Sequence, residues 1–261
     1  MKRLAAIVLG ATALASASGL QAAPVRVRLV EGNVRGMLVV RTLGDKPIAQ
    51  GEQMQRANGS LVESRFTLHF ADGSLWDEKV TFTQRDTFRL ESYRHVQRGP
   101  SYPTSEIEFD RRSGRFRART QEAKDKEIKE ASGSLEMPAD LYNGLATILL
   151  KNLGPGAAVT TQIVVFTPKP RLIKMELKYE GNDAAHVGPA SKDAWRYLVK
   201  LEVGGLAGVF ATLLGKDPPD TRYWMIGGEV PAFARFEGAM YLNGPIWRIE
   251  MAPVEWTVAR R

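Results

Sequence analysis

The sequence predicts a mainly β protein: a curled antiparallel meander or half-barrel, with one buried helix over about 138–152 on its concave face. A short apolar helix or flap is expected over about 206–214. Three observations lead there. Apolar residues alternate with polar ones at period two along most of the chain, short turn signals separate these runs, and only two segments switch to helical spacing.

The strands come first. Val25, Val27 and Leu29 alternate with Arg26 and Arg28, and Phe66, Leu68 and Phe70 with Arg65, Thr67 and His69. Ile173, Met175, Leu177 and Tyr179 alternate with Lys174, Glu176 and Lys178. Trp195, Tyr197, Val199 and Leu201 alternate with Arg196, Lys200 and Glu202. Turns are expected at Glu31-Gly32-Asn33, Gly44-Asp45-Lys46-Pro47, Asn58-Gly59, Asp72-Gly73, Ser113-Gly114 and Asn243-Gly244-Pro245. Strands with one dry face, joined by short turns, read as a meander.

The helix opens at Met137-Pro138-Ala139-Asp140, with proline in its first turn and an acid near its positive end. Leu141, Leu145, Ile148 and Leu149 share one face, Lys151 sits in the last turn and Gly154-Pro155 ends it. A greasy helix inside a meander most simply lies across the dry face of the sheet. The second helical pattern, Leu206, Val209, Phe210, Leu213 and Leu214, is bracketed by glycines and followed by the polar loop Lys216–Asp220. The charged stretch Gln121–Ser134 reads as exposed and flexible.

The N-terminus has the order of a secretory signal: Met1-Lys2-Arg3, an apolar run from Leu4 to about Leu14, then small residues. The run is too short for a membrane span, which needs about 20 apolar residues. Cleavage after Ala22 makes Ala23 the first mature residue; cleavage one residue later would place Pro24 there. Ala15-Ser16-Ala17 is the alternative site. No cysteine follows either site, so a lipid anchor is not expected. The expectation is a leader over 1–22 and a single periplasmic β domain over 23–261. Losing Lys2 and Arg3 lowers the formal charge of +7 by two.

Composition excludes several chemistries. With no cysteine there is no disulfide, zinc-thiolate site or thiol nucleophile. His69, His95 and His186 have no metal-ligand spacing, and the strand phase puts His69 and His95 on wet faces. No nucleophile elbow or phosphate-binding loop occurs, so no cofactor, no metal and no catalysis are expected. Nucleic acid is not expected as a partner either, since no basic stripe is interleaved with stacking aromatics. The mild basic charge allows contact with a membrane surface.

The arginine group Arg111, Arg112, Arg115, Arg117 and Arg119 suggests an anion site, but the strand phase favours a structural reading. A hairpin about Arg111–Gly114 sets Asp110 opposite Arg115, Glu108 opposite Arg117 and Glu106 opposite Arg119, with Phe109 meeting Phe116 behind them. A polar site is expected elsewhere. Phe88 and Leu90 set the dry phase of their run, which carries Ser92 and Arg94 to the same face. Glu78 is on the dry phase with Trp76, Val80 and Phe82, so two readings stand: a Glu78–Arg94 pair inside the sheet, or, since buried ion pairs are uncommon, a wet sheet end with both groups solvated. The dry-phase aromatics either fill a core or line a greasy cavity. The candidate ligand-binding set is therefore Glu78, Arg94, Phe66, Phe82, Phe88, Trp195, Leu145 and Phe210.

Three stretches carry a resemblance. They are Phe70–Glu78 (FADGSLWDE), Met137–Leu145 (MPADLYNGL) and the C-terminal Tyr223–Ile226, Pro231–Gly238 and Gly244–Glu250. Together they resemble an uncharacterised family of exported bacterial β-rich proteins of unknown function. At the level of architecture only, the expected half-barrel is similar to periplasmic lipoprotein carriers of the Lol type. The resemblance implies no catalytic residues. The function expected is a non-catalytic binding or carrier module for a lipid or other apolar ligand. The alternative is an envelope interaction or scaffold protein with a filled core.

Overall fold

The computed structural model describes residues 23–121, 127–166, 169–202, 219–241 and 244–252. The leader over 1–22, the flap over 206–214 with Phe210, and part of the charged stretch, 122–126, lie outside them.

The first meander contains β1 (Val34–Thr42), β2 (Pro47–Asn58), β3 (Leu61–Phe70), β4 (Leu75–Gln84), β5 (Phe88–Arg98), β6 (Ser105–Asp110), β7 (Arg115–Gln121) and β8 (Ile128–Ser134). A helix, α1 (Ala146–Asn152), leads into the second meander. This contains β9 (Ala158–Phe166), β10 (Pro170–Val187), β11 (Ala190–Glu202), β12 (Thr221–Ile226), β13 (Ala232–Ala239) and β14 (Ile246–Met251). Strand β1 pairs with β14, so the two meanders form one 14-stranded antiparallel sheet with β8 and β9 at its edges. A twisted sheet of more than about 10 strands must curl or split. This one curls until rings from opposite ends meet: Phe166 of β9 is 5.4 Å from Phe116 of β7 and 6.2 Å from Phe109 of β6. The edges do not pair with each other, and the half-barrel stays open.

The helix lies on the concave face as expected, with Leu145, Leu149 and Leu150 fully buried against Phe82, Phe88 and Leu177. It is shorter than the sequence pattern. The residues before it make a different structure: Tyr142 N–H donates to Gln162 O and Gln162 N–H to Asp140 O, each at 2.9 Å, so Asp140–Tyr142 lies as a short parallel addition along β9. Gly144 then takes φ +71°, outside the helical region. Leu141 is buried in the same core although it is not helical.

Residues 23–31, expected to include a strand over Val25–Leu29, cross the end of the sheet as an extended strap with one isolated bridge, Arg26 to Thr87. Besides the backbone bonds from Val27 N–H to Asp86 O and from Phe88 N–H to Val25 O, both 3.0 Å, side chains hold the strap. Tyr142 Oη accepts from Val25 N–H at 2.9 Å, and Asn152 Oδ1 accepts from the N–H groups of Arg28 and Leu29, both at 2.8 Å. Glu31 then forms a buried pair with Lys151 at 2.7 Å.

The β6–β7 hairpin has the expected register, with Glu106, Glu108 and Asp110 opposite Arg119, Arg117 and Arg115 and Phe109 opposite Phe116. Arg111 is in the turn of this hairpin, outside the ladder. It turns inward and donates to the carbonyls of Leu90, Met137 and Pro138, fastening the segment before α1 to β5.

Candidate functional site

Strand β5 carries the largest departure from the sequence pattern. Leu90 pairs with Phe82 but Ser92 pairs with Thr81, so Glu91 is an extra residue in a β-bulge. One inserted residue moves every following side chain to the other face. The concave positions are therefore Phe88 and Leu90 before the bulge, and Tyr93, His95 and Gln97 after it.

Two expectations are corrected by this bulge. Arg94 does not meet Glu78: it is exposed on the convex face, 3.8 Å from Asp77, which Arg65 also holds at 2.8 Å. The Arg65 hydrogen bond, more than any other influence, holds the Asp77 carboxyl below its usual range. His95 is not a surface histidine but is buried, at 5% exposure.

On the concave face, between the strap end and the rim of the sheet, lies a cavity of about 960 Å3 that is open to solvent. Strands β3, β4 and β5 form one wall with Phe66, Trp76, Glu78, Tyr93 and His95. Strands β12 and β13 supply Tyr223 and Phe236, β9 supplies Ile163 and Phe166, and the start of α1 supplies Ala146 and Thr147. The rim is polar, with Thr104, Thr120 and Lys129. Asn143 is fixed to β9 by a reciprocal pair: its Nδ2 donates to Val164 O at 2.8 Å, and its Oδ1 accepts from Val164 N–H at 2.9 Å.

Glu78 is at the centre of the polar part. It sits opposite Phe66 on β3 and opposite His95 on β5. Its Oε2 accepts from Tyr93 Oη at 2.9 Å, and a Cβ at Gly144 would lie 3.1 Å from its Oε1. No ion pair reaches Glu78 among the described residues. Burial pushes its carboxyl up to about 7, against the smaller opposing effect of the Tyr93 hydrogen bond. Burial lowers His95 to about 4, so it is neutral at pH 7. The His95 ring lies 4.2 Å from that of Trp76, and its Nε2 is buried with no hydrogen-bond partner. Tyr93 and Tyr223 are both raised, first by burial and then by the Glu78 charge.

Of the candidate set, Glu78 and Phe66 line this cavity. Phe82, Phe88 and Leu145 are buried in the packed core beyond it, and Trp195 packs at the edge of that core. The sequence reading missed Tyr93, His95, Tyr223 and Phe236. Tyr93 offered a signal, since a large aromatic falls on the phase opposite to Phe88 and Leu90 within one strand.

No family model matches the chain and no curated protein sequence matches it. Among solved structures it is similar to a β-barrel-like protein of a domain of unknown function, DUF1849, from Brucella abortus. The two share 12% identity at a TM-score of 0.39, over 87% of this chain and 97% of that one. Among the described residues no group of three or more His, Asp or Glu side chains could hold a metal ion, and no helix is long and apolar enough to cross a membrane.

Proposed function

We propose that this protein is a non-catalytic binding or carrier module for an amphipathic ligand, working in the periplasm after its leader is removed behind Ala22. The observation that carries the reading is the cavity of about 960 Å3 on the concave face. That volume is in the range of small-molecule sites, which are mostly apolar with a few placed polar groups. Aromatic and aliphatic side chains form most of this wall, and the polar groups gather around Glu78. An open interior of that size weighs against the alternative of an envelope scaffold with a filled core. Export is compatible with the start of the fold, where Ala23 N–H donates to Thr160 O at 3.2 Å, a bond that a free amino group would retain.

Native mass spectrometry of protein gently purified from periplasm tests both parts. The expected result is a chain beginning at Ala23 that carries, or readily takes up, a fluorescent lipid analogue. A chain retaining Met1 in that fraction overturns export. An empty chain that takes up no lipid analogue or fatty acid overturns the carrier reading.

A further inference from the structure

The carrier reading leaves one group without a role. Glu78 is an acid inside a mostly apolar cavity, and no arginine or lysine of the described residues pairs with it. A buried carboxylate is normally matched by a cation, since its desolvation is otherwise uncompensated. Among the described residues buried Glu31 has Lys151 and buried Asp77 has Arg65, while buried Asp140 takes Gln162 Nε2 on both oxygens. Beside Glu78 the described residues supply Tyr93 alone as a donor, and leave His95 Nε2 buried and unpartnered on the same wall.

Resting on the carrier reading, we propose that the cavity selects a ligand whose head is a primary ammonium, seated between Glu78 and His95 with its apolar part along the ring-lined walls. Glu78 and His95 are directly opposite across β4 and β5, which puts their Cβ atoms within about 5.5 Å of each other on one face. An ammonium has three donors. One goes to the Glu78 oxygen that Tyr93 does not use, and one to His95 Nε2 with the ring proton on Nδ1. The rings around this point suit a cation as well. Trp76, Phe66 and Tyr223 line the same pocket, and aromatic faces attract cationic nitrogen. An anionic head in the same place would meet the Glu78 charge with no paired cation among the described residues. The lysine that these residues bring to the wall, Lys129, is at the rim on β8.

The titratable groups facing Glu78 are Tyr93 and His95 from β5 and Tyr223 from β12. Both tyrosines are raised and His95 is neutral above about pH 4. The preference for an ammonium over a neutral hydroxyl head, neither of which titrates between pH 5 and 8, therefore follows the Glu78 carboxyl in that range.

Three probes with one chain length test this: dodecylamine, dodecanol and dodecanoate, each below its micelle threshold, titrated into the mature protein at pH 8 and pH 5. Dodecylamine is expected to bind tightest at pH 8, by about tenfold over dodecanol, and to lose most of that advantage at pH 5. Glu78→Gln should remove the advantage of dodecylamine over dodecanol at pH 8. Should Glu78→Gln not fold, the two-pH comparison on the unmutated chain decides the same question. Dodecanol or dodecanoate binding as well as dodecylamine at pH 8 overturns the ammonium site and leaves the carrier reading standing. Failure of all three to bind overturns the carrier reading, and the head-group proposal falls with it.

Discussion

Glu78 and His95 face one another across two strands, and burial moves them in opposite directions, to about 7 and about 4. Each shift couples folding to pH. The Glu78 carboxyl is raised above its unfolded value of 4.5, so the stability it contributes is complete below pH 4.5 and is lost as pH rises through 7. The His95 imidazole is lowered below its unfolded value of 6.5, so its contribution is complete above pH 6.5 and is lost as pH falls through 4. Each is worth up to about 3 kcal/mol. Between pH 4.5 and 6.5 the two slopes oppose and nearly cancel. Urea unfolding of the native chain should give almost constant stability across that window. Glu78→Gln should lose stability as pH falls through it, and His95→Gln should lose stability as pH rises through it. Parallel slopes in the two variants would show that the groups are not buried together. The carboxyls of Asp72, in the β3–β4 turn, and of Asp77 and Asp183 do not disturb this test: all three are held below their usual 3.8, so they add acid sensitivity only below about pH 4.

At the scale of elements, the β6–β7 hairpin was legible because its signals agree. Opposite charges on one face and Phe109 with Phe116 on the other fall into register together. The fold adds a neighbour that the hairpin alone does not show, since Glu108 also lies opposite Arg94 of β5. Glu108→Lys should therefore meet like charge from both sides, yet cost only about 1 kcal/mol or less because the face is wet. Arg117→Glu in the same chain should recover part of the loss. A double-mutant cycle by urea unfolding checks this, and a coupling of zero would reject the pairing. The site was less legible than the hairpin. Residue type does not mark Glu91 as an inserted residue, so the alternation set by Phe88 and Leu90 carried Arg94 inward and His95 outward, the reverse of what the bulge does. Glu78 and Phe66 were legible because no bulge interrupts β3 and β4 between their dry-phase residues. The helix was read too long for a similar reason. Asp140–Tyr142 keeps apolar residues at helical spacing while its backbone pairs with β9, and hydrophobic periodicity does not report where backbone hydrogen bonds go.

The whole molecule is two meanders joined at β1 and β14, closed over at one end by the strap and α1 and open at the other. The filled end and the hollow end use the same concave face. Phe82, Phe88, Leu145 and Leu149 pack solidly where the strap crosses, while Ala146 and Thr147 at the start of α1 line the cavity. This division allows the hollow end to be tested separately. Ala146→Trp places a large ring where the helix borders open space and removes none of the packed core. The helix preference of Trp is lower than that of Ala by under about 1 kcal/mol. The ring's burial offsets this at about 25 cal/mol per Å2 of apolar area. The melting temperature should therefore hold or rise. If the cavity holds the ligand, affinity for dodecylamine should fall by about tenfold or more, because the ring takes up the volume the chain would fill. A stable Ala146→Trp protein with unchanged probe affinity would place the binding elsewhere and end the carrier reading of this cavity. Ala146→Ser, which leaves the volume open, should bind as the native chain does, so the size of the side chain rather than the disturbance of α1 is what the comparison measures.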